Sequence, residues 1–148
     1  MRTPGKILAL AGALTVPCIA AAQCDYVERH AIAAAFAKDI ERSGGVTVDM
    51  RDAQGRAYQA WDAELNRLYR ELLATVKQDS DRDALRKAQR AWLAFHEAEG
   101  DWDWSGAMHG REGTSGPLNV AGSALTRLQQ RICDLRDALD IVALHADE

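Results

Sequence analysis

The chain has 148 residues, 47% of them hydrophobic and 27% charged, a composition that fits one globular domain and falls short of two. Only 6% are aromatic, with 3 prolines and 3 cysteines, which argues against a β-sandwich, a proline-rich disordered chain and a disulfide-dense miniprotein. Net charge is −4 and no run of Lys or Arg occurs, so no nucleic-acid partner is expected.

Residues 1–22 read as a secretory signal peptide. Arg2 and Lys6 give a short positive start, residues 7–16 an apolar run, and Ala20, Ala21 and Ala22 the small residues a signal peptidase requires. The run is too short to span a bilayer permanently, so no stable membrane insertion is expected after cleavage, and the product is periplasmic or secreted. Removing Arg2 and Lys6 from the 18 basic residues leaves 16 against 22 acidic, a net charge of −6 on residues 23–148, which are expected to form a single domain. Cys18 leaves with the signal. Cys24 and Cys133 remain as an even pair in an oxidising compartment, which suggests one disulfide; an intermolecular bridge and two free thiols are the alternatives.

A first helix is expected over residues 25–43, with Val27, Ile32, Phe36 and Ile40 as an imperfect apolar stripe and Gly44-Gly45 as its stop. The second runs over about 48–77. Ala57, Trp61, Leu65, Leu68, Leu72 and Val76 share one face, and Glu64, Arg67, Arg70 and Glu71 form the solvated opposite face. Ser80 and Asp83 resemble a capping box that opens a third helix over 81–99, with Leu85, Ala88, Trp92 and Phe95 as its buried stripe. The short break between the two implies an antiparallel hairpin. Residues 100–116 hold five glycines and read as a loop with conformational freedom. Ser115 and Pro117 then open a last helix, on which Leu118, Ala121, Leu125, Leu128, Ile132, Leu135, Leu139 and Val142 alternate spacings of 3 and 4. That helix packs along the hairpin or, as an alternative, forms a homodimeric coiled coil. The expected fold class is all-α: a small antiparallel bundle of a helical hairpin and a long C-terminal helix, with an N-terminal helix.

Motifs that carry chemistry are missing. No histidine has a glutamate three residues before it, and neither HExxH, a phosphate-binding glycine loop nor a nucleophile elbow occurs. Glu97, Glu99, Asp101 and Asp103 cluster, but acids beside a loop are usually solvated, and His96 with Glu99 makes at most two metal ligands. Hence no enzyme activity, cofactor or metal is expected.

Two segments carry a resemblance. Asp62, Leu65, Asn66 and Tyr69 fit a pattern Asp-x-x-Leu-Asn-x-x-Tyr, and Leu85, Ala88, Gln89 and Trp92 fit Leu-Arg-x-Ala-Gln-Arg-x-Trp. In this order and spacing they resemble the N-terminal domain family of LprI-type lysozyme inhibitors. His96-Glu97-Ala98-Glu99 is similar to that family's Arg-Asp-Ala-Glu, with His96 in the arginine position, and Leu125-Thr126-Arg127 is similar to its closing segment. The chain departs from the family at Ala53 and Gly100, where the family has a pair of cysteines. Leu65, Leu85, Ala88 and Trp92 are explained by the core stripes alone, and Asn66 and Gln89 are expected to bridge the hairpin or satisfy its backbone.

The resemblance implies inhibition of a wall-cleaving lysozyme in the bacterial envelope. A chain of net charge −6 is steered toward a cationic lysozyme-like hydrolase. The candidate contact is the loop, through Asp101, Trp102, Asp103, Trp104, Arg111 and Glu112, which combine aromatic area with charge. The tryptophans could instead cover the end of the bundle. The alternative function is a structural or immunity-type envelope protein with a different protein partner.

Overall fold

The computed structural model describes residues 24–146, which form five helices and no strand: α1 Asp25–Glu28, α2 Ala31–Ser43, α3 Thr47–Thr75, α4 Asp79–Asp103 and α5 Gly116–Ala146. The expected signal peptide, residues 1–22, lies outside the described residues.

The two long helices α3 and α5 make the core between them. Trp61, Leu65, Leu68 and Leu72 of α3 meet Leu125, Leu128, Ile132, Leu135 and Leu139 of α5, all buried, and Val27 of α1 closes the cluster. Burying a side chain of this size contributes roughly 1.5–3 kcal/mol, so this seam is the main source of stability. The apolar stripe of α5 is thus consumed inside one molecule and is not free to build the coiled-coil dimer weighed from the sequence. The charged face expected on α3 also needs correction. Glu64 is buried, accepts a hydrogen bond from the Tyr26 hydroxyl, and pairs with Arg67 at 2.7 Å, which ties α1 to α3. The Arg67 bond, with that of Tyr26, holds the Glu64 carboxyl below its ordinary range against the cost of burial.

The expected first helix is broken in two. His30 is extended, its Nδ1 accepts the amide of Ile32 at 3.2 Å as the N-cap of α2, and its ring packs on Trp61 at 5.0 Å. α2 then packs on α3 and stops where expected, with Gly44 in the left-handed conformation at φ 57°. A disulfide joins Cys24 to Cys133 with Cα atoms 5.8 Å apart, fastening the start of α1 to α5. Its ends are 109 residues apart, so the chain-entropy model gives it about 4–5 kcal/mol of stabilisation.

α4 differs most from the expectation. The cap Gln78 makes no side-chain bond, and Ser80 reaches only its neighbour Asp81, so no capping box forms. The helix continues through Gly100 and Asp101 to Asp103, taking in four residues expected in the loop. Of its expected stripe, Leu85 and Trp92 are half-buried, while Ala88 and Phe95 are exposed. The buried residues of α4 are polar: Gln89 accepts a hydrogen bond from Arg131 Nε at 3.1 Å, and Asp103 pairs with Arg127, so α4 docks chiefly on α5.

Candidate functional site

The segment between α4 and α5 is wound tightly rather than free. His109 donates its amide to the Asp103 carbonyl at 3.1 Å, and Met108 and Gly110 both donate to Ser105. A Cβ on Gly110 would collide with the Trp104 carbonyl oxygen, and one on Gly116 with that of His109. These glycines serve close backbone approach. Glu112 adds a side-chain clamp, accepting from Asn119 at 2.7 Å and contacting His109 Nδ1 at 2.9 Å. The Asn119 bond first, then His109, holds the Glu112 carboxyl below its ordinary range. Arg111 lies over Gly106 with its side chain exposed.

The six expected contact residues do not form one patch. Asp103 is removed from solvent: it is 4% exposed and holds Arg127 Nη1 at 2.8 Å. Asp101 stays exposed on the last turn of α4. Trp102 and Trp104 are 51% and 54% exposed, so neither is a lid on the core. Two residues apart near a helix end, they point about 200° apart around the axis. Trp104 stands over a depression of about 420 Å³ between α3 and the start of α5, beside Arg51, Gln54, Tyr58, Val120 and Ala124. Gln54 donates to the Leu118 carbonyl at 3.0 Å, while its own Oε1 is buried without a partner among the described residues.

Behind this depression lies a polar cluster that sequence reasoning did not assemble. The Tyr58 hydroxyl meets His96 Nε2 at 2.9 Å, and the His96 ring stacks on Trp92 at 4.9 Å. Burial, with the nearby Arg127 charge, pushes the His96 imidazole below its ordinary value, and burial pushes the Tyr58 phenol up. The ring that stands where the resemblance has an arginine is thus held toward its neutral form, with the Arg127 charge of α5 nearby. The replacement at His96 was visible in the sequence; its partners were not, because Tyr58 lies 38 residues away along the chain.

The two motif segments do face each other. Asp62, Leu65, Asn66 and Tyr69 line one wall of a groove of about 370 Å³ between α3 and α4, and Gln89 lies on the other wall. Their polar groups are engaged within the fold. Asn66 bonds back to the Asp62 carbonyl at 2.8 Å, satisfying hairpin backbone as one of the two expectations had it, whereas Gln89 accepts from Arg131 of α5 and does neither. Leu85 and Trp92 pack against the core, while Ala88 lies on the outer face of α4. Ala53 and Gly100, at the family's cysteine positions, hold no bridge; Ala53 is buried on α3. Among the described residues no three His, Cys, Asp or Glu side chains converge on a metal site, and no helix is long and apolar enough to cross a membrane.

Comparison with known proteins bears on what this arrangement serves. An uncharacterised protein of Rhizobium meliloti (strain 1021) is 30% identical over 105 residues, covering 63% of this chain and 73% of that protein. No solved structure matches the chain significantly. The family model described as lysozyme inhibitor LprI matches residues 38–135, a span from within α2 to within α5 that takes in both motifs, the His96 cluster and the wound loop. This chain belongs to the LprI family of lysozyme inhibitors.

Proposed function

We propose that the protein is exported to the bacterial envelope and there binds and inhibits a lysozyme-type cell-wall hydrolase, using the end of the bundle around Trp104. Beyond family membership, one observation supports this surface: a half-exposed tryptophan held on a tightly bonded turn beside an open depression. A large aromatic on fixed backbone loses little freedom on binding and is the side chain that most often anchors an interface. The depression adds an apolar floor at Val120 and Ala124.

Charge supplies the approach. The exported chain carries a net charge of −6 once Arg2 and Lys6 are removed, and lysozymes of the animal type are cationic. Attraction of this kind raises the association rate and weakens with salt. Glu112 lies on the exposed surface at this end and complements a positive rim, while Arg111 offers a donor. Asp103 is spent on Arg127, and Trp102 stands on another face of α4, so neither is part of this contact. The disulfide-intact protein is expected to suppress hydrolysis of a cell-wall suspension by a cationic lysozyme in proportion to its concentration. Trp104→Ala should raise the concentration needed by at least about 30-fold, the equivalent of a hot spot of ~2 kcal/mol. Absence of inhibition by the unaltered protein, or full inhibition by the Trp104→Ala variant, contradicts the proposal.

A further inference from the structure

The outer face of α4 carries a second pattern that the fold does not use. Ala84, Ala88, Ala91, Phe95, Ala98 and Trp102 recur at spacings of 4, 3, 4, 3 and 4, and all six are exposed. Phe95 is 52% exposed and Trp102 51%, although the same helix turns Gln89 and Asp103 inward. An apolar stripe at this spacing on a helix of 25 residues is the seam of a two-helix contact, and here it faces solvent. Its alanines let a second helix approach to about 8 Å, the close end of the usual interaxial range.

The charges beside the seam say what that second helix is. Lys87 flanks its first half and Asp101 its last turn on the same side, whereas Arg90 lies further round the helix, lining the α3–α4 groove. Both flanking residues are exposed, and neither has an ion-pair partner among the described residues. A copy of α4 laid antiparallel about a two-fold axis level with Leu93 brings Lys87 opposite Asp101 at both ends of the contact. The same alignment sets Phe95 against Ala91 and Trp102 against Ala84, a large side chain against a small one each time. A parallel copy would carry the two charged flanks to opposite sides of the seam, where they form no such pair. We infer that two copies of this chain associate through the outer face of α4, antiparallel, as an isologous dimer. This assignment leaves the Trp104 surface open at both ends of the dimer, and it stands whether or not the partner there is a lysozyme.

Sedimentation equilibrium of the disulfide-intact, signal-free chain tests it. A reversible monomer–dimer equilibrium is expected. Phe95→Glu, at a position already exposed, should weaken association at least about tenfold without changing helical content. Lys87→Glu alone should weaken the dimer several-fold through repulsion with Asp101, and Asp101→Lys alone should do the same. The double exchange K87E/D101K should restore it, because the attraction is then only reversed. A chain that stays monomeric up to high micromolar concentration overturns the inference, as does a dimer indifferent to Phe95→Glu. Failure of the double exchange to restore association overturns the antiparallel pairing. A monomer whose Phe95→Glu variant loses lysozyme inhibition would assign this face to the hydrolase instead, and also overturns it.

Discussion

Asp101 and Asp103 are two residues apart and have opposite roles. Asp103 is buried against Arg127 at 2.8 Å, with both side chains mostly out of water, whereas Asp101 is exposed. Removing one member of a buried pair leaves the other charge uncompensated, so Asp103→Ala should cost about 3–5 kcal/mol in urea unfolding. Asp101→Ala should stay within about 0.5 kcal/mol, as for other surface positions. Equal effects would contradict the burial assigned to Asp103. The sequence made both residues legible as acids near tryptophans and could not separate them, because what separates them is an arginine 24 residues further along the chain. His96 repeats the lesson. Its departure from the family pattern is readable, but its shift toward the neutral form depends on Tyr58, Trp92 and Arg127 packing around it.

At the scale of the helices, legibility follows hydrophobic content. α3 and α5 have dense apolar stripes, and the structure buries the residues those stripes name except Val76, Leu118, Ala121 and Val142, which are half-buried. α4 has a period but two faces that satisfy it. The sequence reading combined Leu85 and Trp92 from one with Ala88 and Phe95 from the other. Docking is decided by Gln89 bonding Arg131 and by Asp103 bonding Arg127, and polar contacts of this kind do not register in a hydrophobic pattern. The difference is measurable. Leu128→Ala should cost about 2–5 kcal/mol in chemical denaturation, the range for a fully packed leucine. Phe95→Ala should cost less than about 1 kcal/mol in the monomer, because its side chain already lies half in water. A Phe95 variant as damaging as Leu128→Ala would restore the face that the sequence favoured. In the α4–α5 turn, the glycines were legible as helix breakers, whereas the carbonyl groups crowding Gly110 and Gly116 come from chain closure and were not.

Taken as a whole molecule, the protein is a two-helix core with α1 fastened to it by Cys24–Cys133, and with α4 and its following turn docked on one side. Ala53 and Gly100 hold no bridge, and the bridge here joins α5 to the residue that precedes α1. That bridge restrains the N-terminal side of the bundle, while the Trp104 end is held by hydrogen bonds and close backbone contacts alone. The proposed contact with a hydrolase lies at the end built this way, which combines an exposed anchor, an open depression and a fixed backbone. Amide hydrogen exchange of the intact protein, with and without saturating lysozyme, tests that claim most directly. Added protection is expected in two stretches, residues 51–59 of α3 and residues 104–121 across the turn and the first turns of α5, with little change along the first half of α3's partner α2. Protection confined to other surfaces, or none under conditions where wall hydrolysis is inhibited, would contradict it.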